Sequence, residues 1–461
     1  MEVLILYTNK LKNMSYTKKP KYIDWDLTSS NSMVTELVVA MYVELKLGTQ
    51  KVSIKTELLK TVLMNLLRSA RTQRGVMYPR SNSWFQSILS KYKYPFVTYD
   101  LVINLTDALL REGFITHLKG SWDMAANYKE QSIMNPSVKL LEFYNHLPPD
   151  VIEYSLPVQE VLLRNITIEE ELNENTGKTE KKKKKVLLDY TDTTAIINMR
   201  KVIREWNYLR KRTFVTLDIP KKLYYADENK EILEYYCDLT SEENKIIHFK
   251  VKPKGVYRVF LYDFEHFGRY SAGIETLVKR EYRSCFKING DPIVELDFQA
   301  FHTKMLYNME GINYQRDPYQ VAADSYKFKT YRKRKYFKLI GLMAINAPTK
   351  TATIRAVITD LKTHKINIKY AAIKKMLEHW LTVHQPIAKY LCSGIGLKLM
   401  YKDSCIAEKV IQHFTSRGIF VMCVHDSFII SKKYKKELKA VMEKSYKEIM
   451  WTKFKPVIDV K

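Results

Sequence analysis

Asp426 stands in IFVMCVHDSFII, an apolar run interrupted only by His425, Asp426 and Ser427. The run reads as a buried β-hairpin, where a lone ionised carboxylate costs several kcal/mol, roughly, unless a cation or hydrogen bonds compensate it. A polar reversal between two apolar strands is the plain alternative. A counterpart lies 129 positions upstream in DPIVELDFQAFHTKMLY. There Val294, Leu296 and Phe298 alternate with Glu295 and Asp297, as in a strand that delivers Asp297 near its end. If the two carboxylates meet, their like charges demand a divalent cation. Two hard oxygen ligands with open positions suit Mg²⁺, commonly in pairs at phosphoryl-transfer sites. Between them, KFKTYRKRKYFKLIGLMAINAPTK repeats Arg334, Lys338 and Leu342 every four residues, on one helix face. Such a cationic stripe suits a triphosphate, whose charge shifts onto the leaving pyrophosphate; a solvated or nucleic-acid-facing helix would look the same.

The whole chain is compatible with a polyanionic partner. Lys and Arg total 76 against 50 Asp and Glu, a formal net charge of +26, while 46% hydrophobic and 12% aromatic content over 461 residues implies folded domains. Five cysteines lie far apart with no zinc spacing, which implies a reducing compartment and no structural zinc. No uncharged apolar stretch is long enough to span a membrane, and the first residues lack the features of a signal or transit peptide, so a soluble intracellular protein is expected.

The elements that must position these groups divide at ITIEEELNENTGKTEKKKKKVLL, whose acidic patch and five successive lysines read as an exposed loop. Four regions follow: a mostly helical domain over 1–170, a charged flexible loop over 171–186, a thumb-like or connecting helical region over 187–255, and 256–461, where strands alternate with helices. In the first region MVTELVVAMYVELKLG and KTELLKTVLMNLLRSA carry helical spacing. In YPRSNSWFQSILSKYKYPF, aromatics among basic residues make a candidate nucleic-acid surface. Asp24 and Asp26 in YIDWDL, with Asp100 downstream, have the spacing of a proofreading metal site, but capping and loop roles are the expected ones.

Carboxylate strand, basic helix and His-Asp hairpin, in that order, resemble motifs A, B and C of the family A DNA polymerases and their relatives, the single-subunit phage-type RNA polymerases. The resemblance covers roughly residues 256–450. Upstream, Gly268, Arg269 and Ser271, then Arg283 and Phe286, look like the family stretch that precedes motif A, and Asp317, Pro318 and Tyr319 sit where the family begins its fingers. The resemblance implies an α+β right-hand polymerase: an antiparallel-sheet palm with helical fingers inserted at about 312–395, preceded by the mostly helical region. It implies two Mg²⁺ ions, or Mn²⁺ in their place, held by Asp297, Asp426 and the backbone carbonyl of Phe298. Lys338 would act on the triphosphate with Arg334 in support, and Leu342, Asn346 and His302 would lie by the incoming nucleotide. Arg269, Arg283 and His425 would contact primer and template. The implied partners are primer-template DNA, or RNA, and nucleoside triphosphates.

The departures from the family pattern fall at the sugar. Gln299 and His302 replace the Ser and Glu of motif A, Lys304 replaces an Arg, and Asn346-Ala347 replaces the Tyr-Gly pair of motif B. In DNA polymerases that Glu helps exclude a 2′-hydroxyl, so the choice between DNA and RNA synthesis stays open, with DNA synthesis favoured. A primase-like enzyme belongs with the RNA alternative. A nucleic-acid-binding protein that kept the shape without the activity is a further reading. A His-Asp phosphohydrolase is a poor one, because that family carries its ligands on helices.

Overall fold

The computed structural model describes residues 16–120, 122–123, 128–129, 131–173, 178–228 and 230–461. Two hydrophobic cores divide them, one drawn from Ile23 to Tyr154 and the other from Val161 to Met450. The architecture is mixed α and β with mostly antiparallel sheets.

In the first lobe, helices Ser32–Glu44, Val52–Thr72 and Tyr99–Arg111 accompany a four-stranded sheet, in the order Lys18–Tyr22, Arg74–Tyr78, Ser132–Pro136, Ile115–Leu118. Asn31 and Thr98 cap the first and third of these helices by accepting from the amides of Met33 and Leu101. The Val52–Thr72 helix is the centre of the lobe, burying Leu58, Leu59, Val62, Leu63, Leu66 and Leu67. A mostly helical domain was the expectation. The difference lies in strands of four or five residues, too short for a two-residue period to show above their charged neighbours.

The segment expected as a flexible loop is a β-hairpin instead. Val161–Asn173 and Lys178–Leu187 pair antiparallel along their length, and Lys184 meets Glu169 at 3.0 Å across the ladder. The register sets Lys181 and Lys182 opposite Glu170 and Glu169, so part of the charge that reads as loop composition is accommodated across strands. The lobe boundary moves accordingly to between Tyr154 and Val161.

Residues 187–255 hold one long helix, Thr194–Arg212, and then three strands, Val215–Pro220, Cys237–Glu242 and Ile246–Val251, rather than a helical thumb. Those strands belong to a wholly antiparallel eight-stranded sheet. Its order continues through Phe286–Ile288 and Asp291–Phe298 to Ser427–Ser431 and Val421–Val424, with Ile458–Val460 beside Asp291–Phe298. Between the two central strands the chain makes helices Pro318–Ser325, Arg334–Asn346, Lys350–Thr363, Tyr370–Val383 and Gly396–Thr415. Asp317 starts the first of them by accepting from the amides of Tyr319 at 3.0 Å and Gln320 at 3.2 Å, with Pro318 at the first helical position.

Trp206, fully buried, joins the Thr194–Arg212 helix to the sheet by donating from Nε1 to the Val421 carbonyl at 2.8 Å. Replacing Trp206 by Ala is expected to cost about 3–5 kcal/mol. Denaturant unfolding followed by circular dichroism checks this, and a loss below about 1 kcal/mol would show that the helix does not hold that strand.

Candidate functional site

Asp297 lies one residue from the end of Asp291–Phe298, opposite Ser427 on one neighbouring strand and Asp459 on the other. Asp426 fills the two-residue turn between Val421–Val424 and Ser427–Ser431, where His425 adopts a left-handed φ of 58°. For a non-glycine residue such a conformation costs about 1–3 kcal/mol and persists only where the surroundings enforce it. Here the Phe298 amide donates to the Asp426 carbonyl at 3.2 Å, pinning the turn to the end of the Asp297 strand. Phe298 itself is buried and stacked on Phe301 at 4.2 Å.

Burial raises the pKa of Asp426, and the negative charge of Asp297 raises it further, with Arg269 opposing. No side chain among the described residues gives Asp426 a hydrogen bond or ion pair; its own backbone amide is what steadies it. Asp297 is better compensated, because Lys461 Nζ lies 2.5 Å from its Oδ2. Two neighbouring carboxylates, with the Lys461 ammonium on Asp297 alone, form an oxygen donor set that fits a hard divalent cation, and Lys461 holds part of the charge such an ion would supply. Among the described residues no cluster of three or more His, Cys, Asp or Glu completes a metal cage.

A third carboxylate acts on Asp426 as well: Asp403, buried on the Gly396–Thr415 helix. Arg269 Nε donates to its Oδ2 at 3.2 Å, and His302 Nε2 lies 2.8 Å from the same oxygen. Gly268 allows this approach: its φ is +67°, and a Cβ there would lie 2.7 Å from Ser404 Oγ. Arg258, buried below, donates to the Gly268 carbonyl at 2.6 Å and to Ser404 Oγ at 2.8 Å. Arg283 lies 3.6 Å from Glu295, which also accepts from Ser427 Oγ at 2.8 Å. The His425 ring still reaches solvent, yet the protein packed around it and the nearby Arg269 lower its pKa to about 4, so it is neutral at pH 7. Lys304 donates to Gln299 Oε1 at 2.7 Å, and burial lowers its pKa to about 8.

The basic stripe is real and faces outward. Arg334, Lys338, Leu342 and Asn346 are all exposed, while Phe337, Ile340, Gly341 and Ala344 are buried on the opposite side. Arg334 Nε donates to Asp317 Oδ2 at 2.6 Å and its guanidinium lies 5.5 Å from the Tyr319 ring centre. Asn346 Nδ2 donates back to the Leu342 carbonyl at 2.8 Å. No described contact joins the stripe to the aspartates. Tyr319 stands between them electrostatically: burial raises its phenol, and Asp317, Arg334 and Asp426 all act on it.

No protein-family model matches the chain, and no curated protein does. Among solved structures, the POL domain of Pol1 from M. smegmatis, in complex with DNA primer-template and dNTP, is similar with a TM-score of 0.32 and 11% identity. The match covers 45% of this chain and 47% of that one, so the chain spans about half of that domain. The site stands on its own geometry.

Other expected features fall elsewhere. Asp24 and Asp26 are engaged by Lys254 at 3.4 and 3.6 Å, and Arg68 reaches Asp24 at 3.3 Å. Asp100 lies in the first turn of Tyr99–Arg111. In the proposed N-terminal nucleic-acid surface, Tyr78, Phe85 and Phe96 are core residues, because their rings complete the first lobe. Conversely, sequence reasoning missed Asp403, Asp459 and Lys461. Asp403 had a signal: it follows Leu399 by four and precedes Ile406, Ala407 and Val410, so a carboxylate sits on an apolar helix face. Asp459 and Lys461 had none, since a three-residue strand leaves no period to read.

Ionised Asp426 destabilises the fold, because its pKa is raised above the unfolded value. Stability should therefore fall as pH rises through its titration. At pH 7 without divalent ions, Asp426→Asn should raise the melting temperature by roughly 2–4 °C for each kcal/mol relieved, and should abolish the further rise that Mg²⁺ produces in the parent chain. Thermal melts with and without Mg²⁺ check both; a variant still stabilised by Mg²⁺ would place the ion elsewhere. Lys461→Met should tighten Mg²⁺ binding about 2–5-fold in the same assay, since the competing ammonium is gone.

Proposed function

We propose that the chain is a template-directed nucleotidyltransferase that adds nucleotides to a 3′-hydroxyl and releases pyrophosphate, with a DNA polymerase as the leading reading. What supports it is the juxtaposition of Asp297 and Asp426, tied together by the Phe298 amide and lacking a full complement of positive charge. On this reading the antiparallel sheet is the palm and the helices from Pro318 to Val383 are the fingers.

When bound, Mg²⁺ supplies Lewis acidity to the 3′-hydroxyl and to the triphosphate. Asp297 and Asp426 would hold it, with the Phe298 carbonyl as a further oxygen. The 3′-hydroxyl gives up its proton to solvent water as its oxygen attacks the α-phosphorus, the bond to the α,β-bridging oxygen breaks, and the pyrophosphate takes the negative charge. Lys338, exposed on the stripe, is the group to meet that charge and to deliver a proton to it. Arg334, oriented by Asp317, adds positive potential beside it. Neutral His425, at the turn beside Asp426, would position the primer terminus, and Arg269 and Arg283 would lie along the primer-template backbone. In the described structure both arginines are held by carboxylates, Arg269 by Asp403 and Arg283 by Glu295. His302 shares Asp403 with Arg269, so the residue implied near the incoming sugar is tied to the arginine implied near the primer.

Primer extension on DNA and RNA templates with Mg²⁺, comparing dNTPs with NTPs, tests the reading. Extension should be lost in Asp426→Ala and fall about 10²–10³-fold in kcat for Lys338→Ala. The preferred sugar distinguishes a DNA from an RNA polymerase. Absence of incorporation with either triphosphate on either template, primed or unprimed, overturns the enzyme reading in favour of a nucleic-acid-binding protein.

A further inference from the structure

A cleft of about 660 Å³ opens where the two lobes meet, away from the aspartates. Its size falls in the range of nucleotide-sized ligand sites. Three features of its wall converge on one ligand chemistry.

The first is aromatic surface. Tyr22, Trp25 and Tyr257 line the cleft, and among the described residues their rings stack on no other ring and lie under no cation. Tyr94 is fixed beside them, donating to Asp26 Oδ1 at 2.9 Å and lying stacked 5.0 Å from Phe96. Unclaimed aromatic faces in a cleft suit a planar ring, and base stacking on such a face contributes about 1–3 kcal/mol. The second is an acceptor without a donor. Gln159 lines the same cleft, and its Oε1 is buried with no hydrogen-bond partner. Such an atom costs about 1–3 kcal/mol until an N–H reaches it. Asp26 offers acceptor oxygens close by. The third is a spare cation. Four cationic side chains line the wall: Lys21 pairs with Glu231, Arg68 with Asp24, and Lys254 with Asp24 and Asp26. Among the described residues Lys93 meets no carboxylate and donates only to the Phe85 carbonyl, at 3.3 Å.

We propose that this cleft binds a nucleobase bearing an exocyclic amine, stacked among Trp25, Tyr22 and Tyr257, with its amine on Gln159 and its phosphate toward Lys93. The base belongs either to a free mononucleotide or to an unpaired position of a nucleic-acid strand. The site is independent of the carboxylate pair and of the activity assigned to it. It also accounts for the KYKYPF stretch, whose Tyr92, Lys93 and Tyr94 face the cleft while Phe96 fills the core.

The test uses the full chain carrying Asp426→Asn, without divalent ions, so that nucleotide binding at the carboxylate pair is suppressed. Calorimetric titration compares AMP with UMP, and an eight-residue oligodeoxyadenylate with an oligothymidylate of the same length. The adenine ligands should bind at least about tenfold more tightly than their uracil and thymine counterparts. Gln159→Leu and Trp25→Ala should each weaken adenine binding about tenfold or more. Gln159→Leu should leave the melting temperature unchanged or raised, because it removes an unpaired polar atom. Binding of AMP identifies a mononucleotide site; binding of the oligodeoxyadenylate with AMP silent identifies a strand base. No binding of either adenine ligand, equal binding of thymine and uracil, or unchanged affinity in both variants overturns the proposal.

Discussion

The Phe298 amide bond to the Asp426 carbonyl sets the distance between two negative charges. Asp297 and Asp426 cannot drift apart to relieve their repulsion, because that bond continues an antiparallel ladder running from Ile293↔Ser431 to Asp297↔Ser427. The other face of the ladder is equally committed. Val294, Leu296, Phe298, Phe428 and Ile430 are buried, and Phe298 lies 6.0 Å from Tyr446 of the Lys435–Met450 helix. Apolar packing on one face thus holds unfavourable electrostatics in place on the other, as expected where a preformed site is maintained at some cost in stability.

Much of the surrounding lobe then serves as charge compensation. Asp403 engages Arg269 and His302, Glu295 is met by Ser427 and Arg283, and Asp297 is met by Lys461. Among the described residues Asp426 is the member left without a side-chain partner. Buried ion pairs of this kind add little net stability but are costly to break singly, so they fix position more than they hold the fold together. The neutral state of His425 fits the same pattern: a second positive charge beside Arg269 is disfavoured, and the ring stays a hydrogen-bonding group without charge.

Legibility in the sequence followed the length of each element. Asp291–Phe298 shows five alternating positions, the His-Asp hairpin is apolar on both arms, and Arg334–Asn346 separates exposed from buried residues at helical period. The first and last were readable because burial follows the period of a regular element, and the hairpin because both its arms are buried throughout. The first lobe's sheet was not, since its strands are too brief for a period and its longest element is a helix. The lysine run misled for a different reason: composition reports solvation, and an edge strand that exposes Lys183, Lys184 and Lys185 is as polar as a loop. Within the site, what stayed hidden were the partners. A carboxylate on a strand announces a charge that must be met, but only the folded topology says that Asp403, more than a hundred residues from Arg269 and His302, meets theirs.

The helices that separate the two central strands bear on how the chain is made. Asp291–Phe298 is synthesised 129 residues ahead of the turn that completes it, measured from Asp297 to Asp426. At about 5–20 residues per second, its partner edge waits on the order of ten seconds while the helices emerge. An open strand edge invites pairing with another copy of itself, and charged side chains are the ordinary defence. Glu295 and Asp297 are such charges, and they stand opposite their own copies wherever two nascent strands pair parallel and in register. The strand that carries half of the finished site thus also carries the charges that keep the unfinished chain apart from its neighbours.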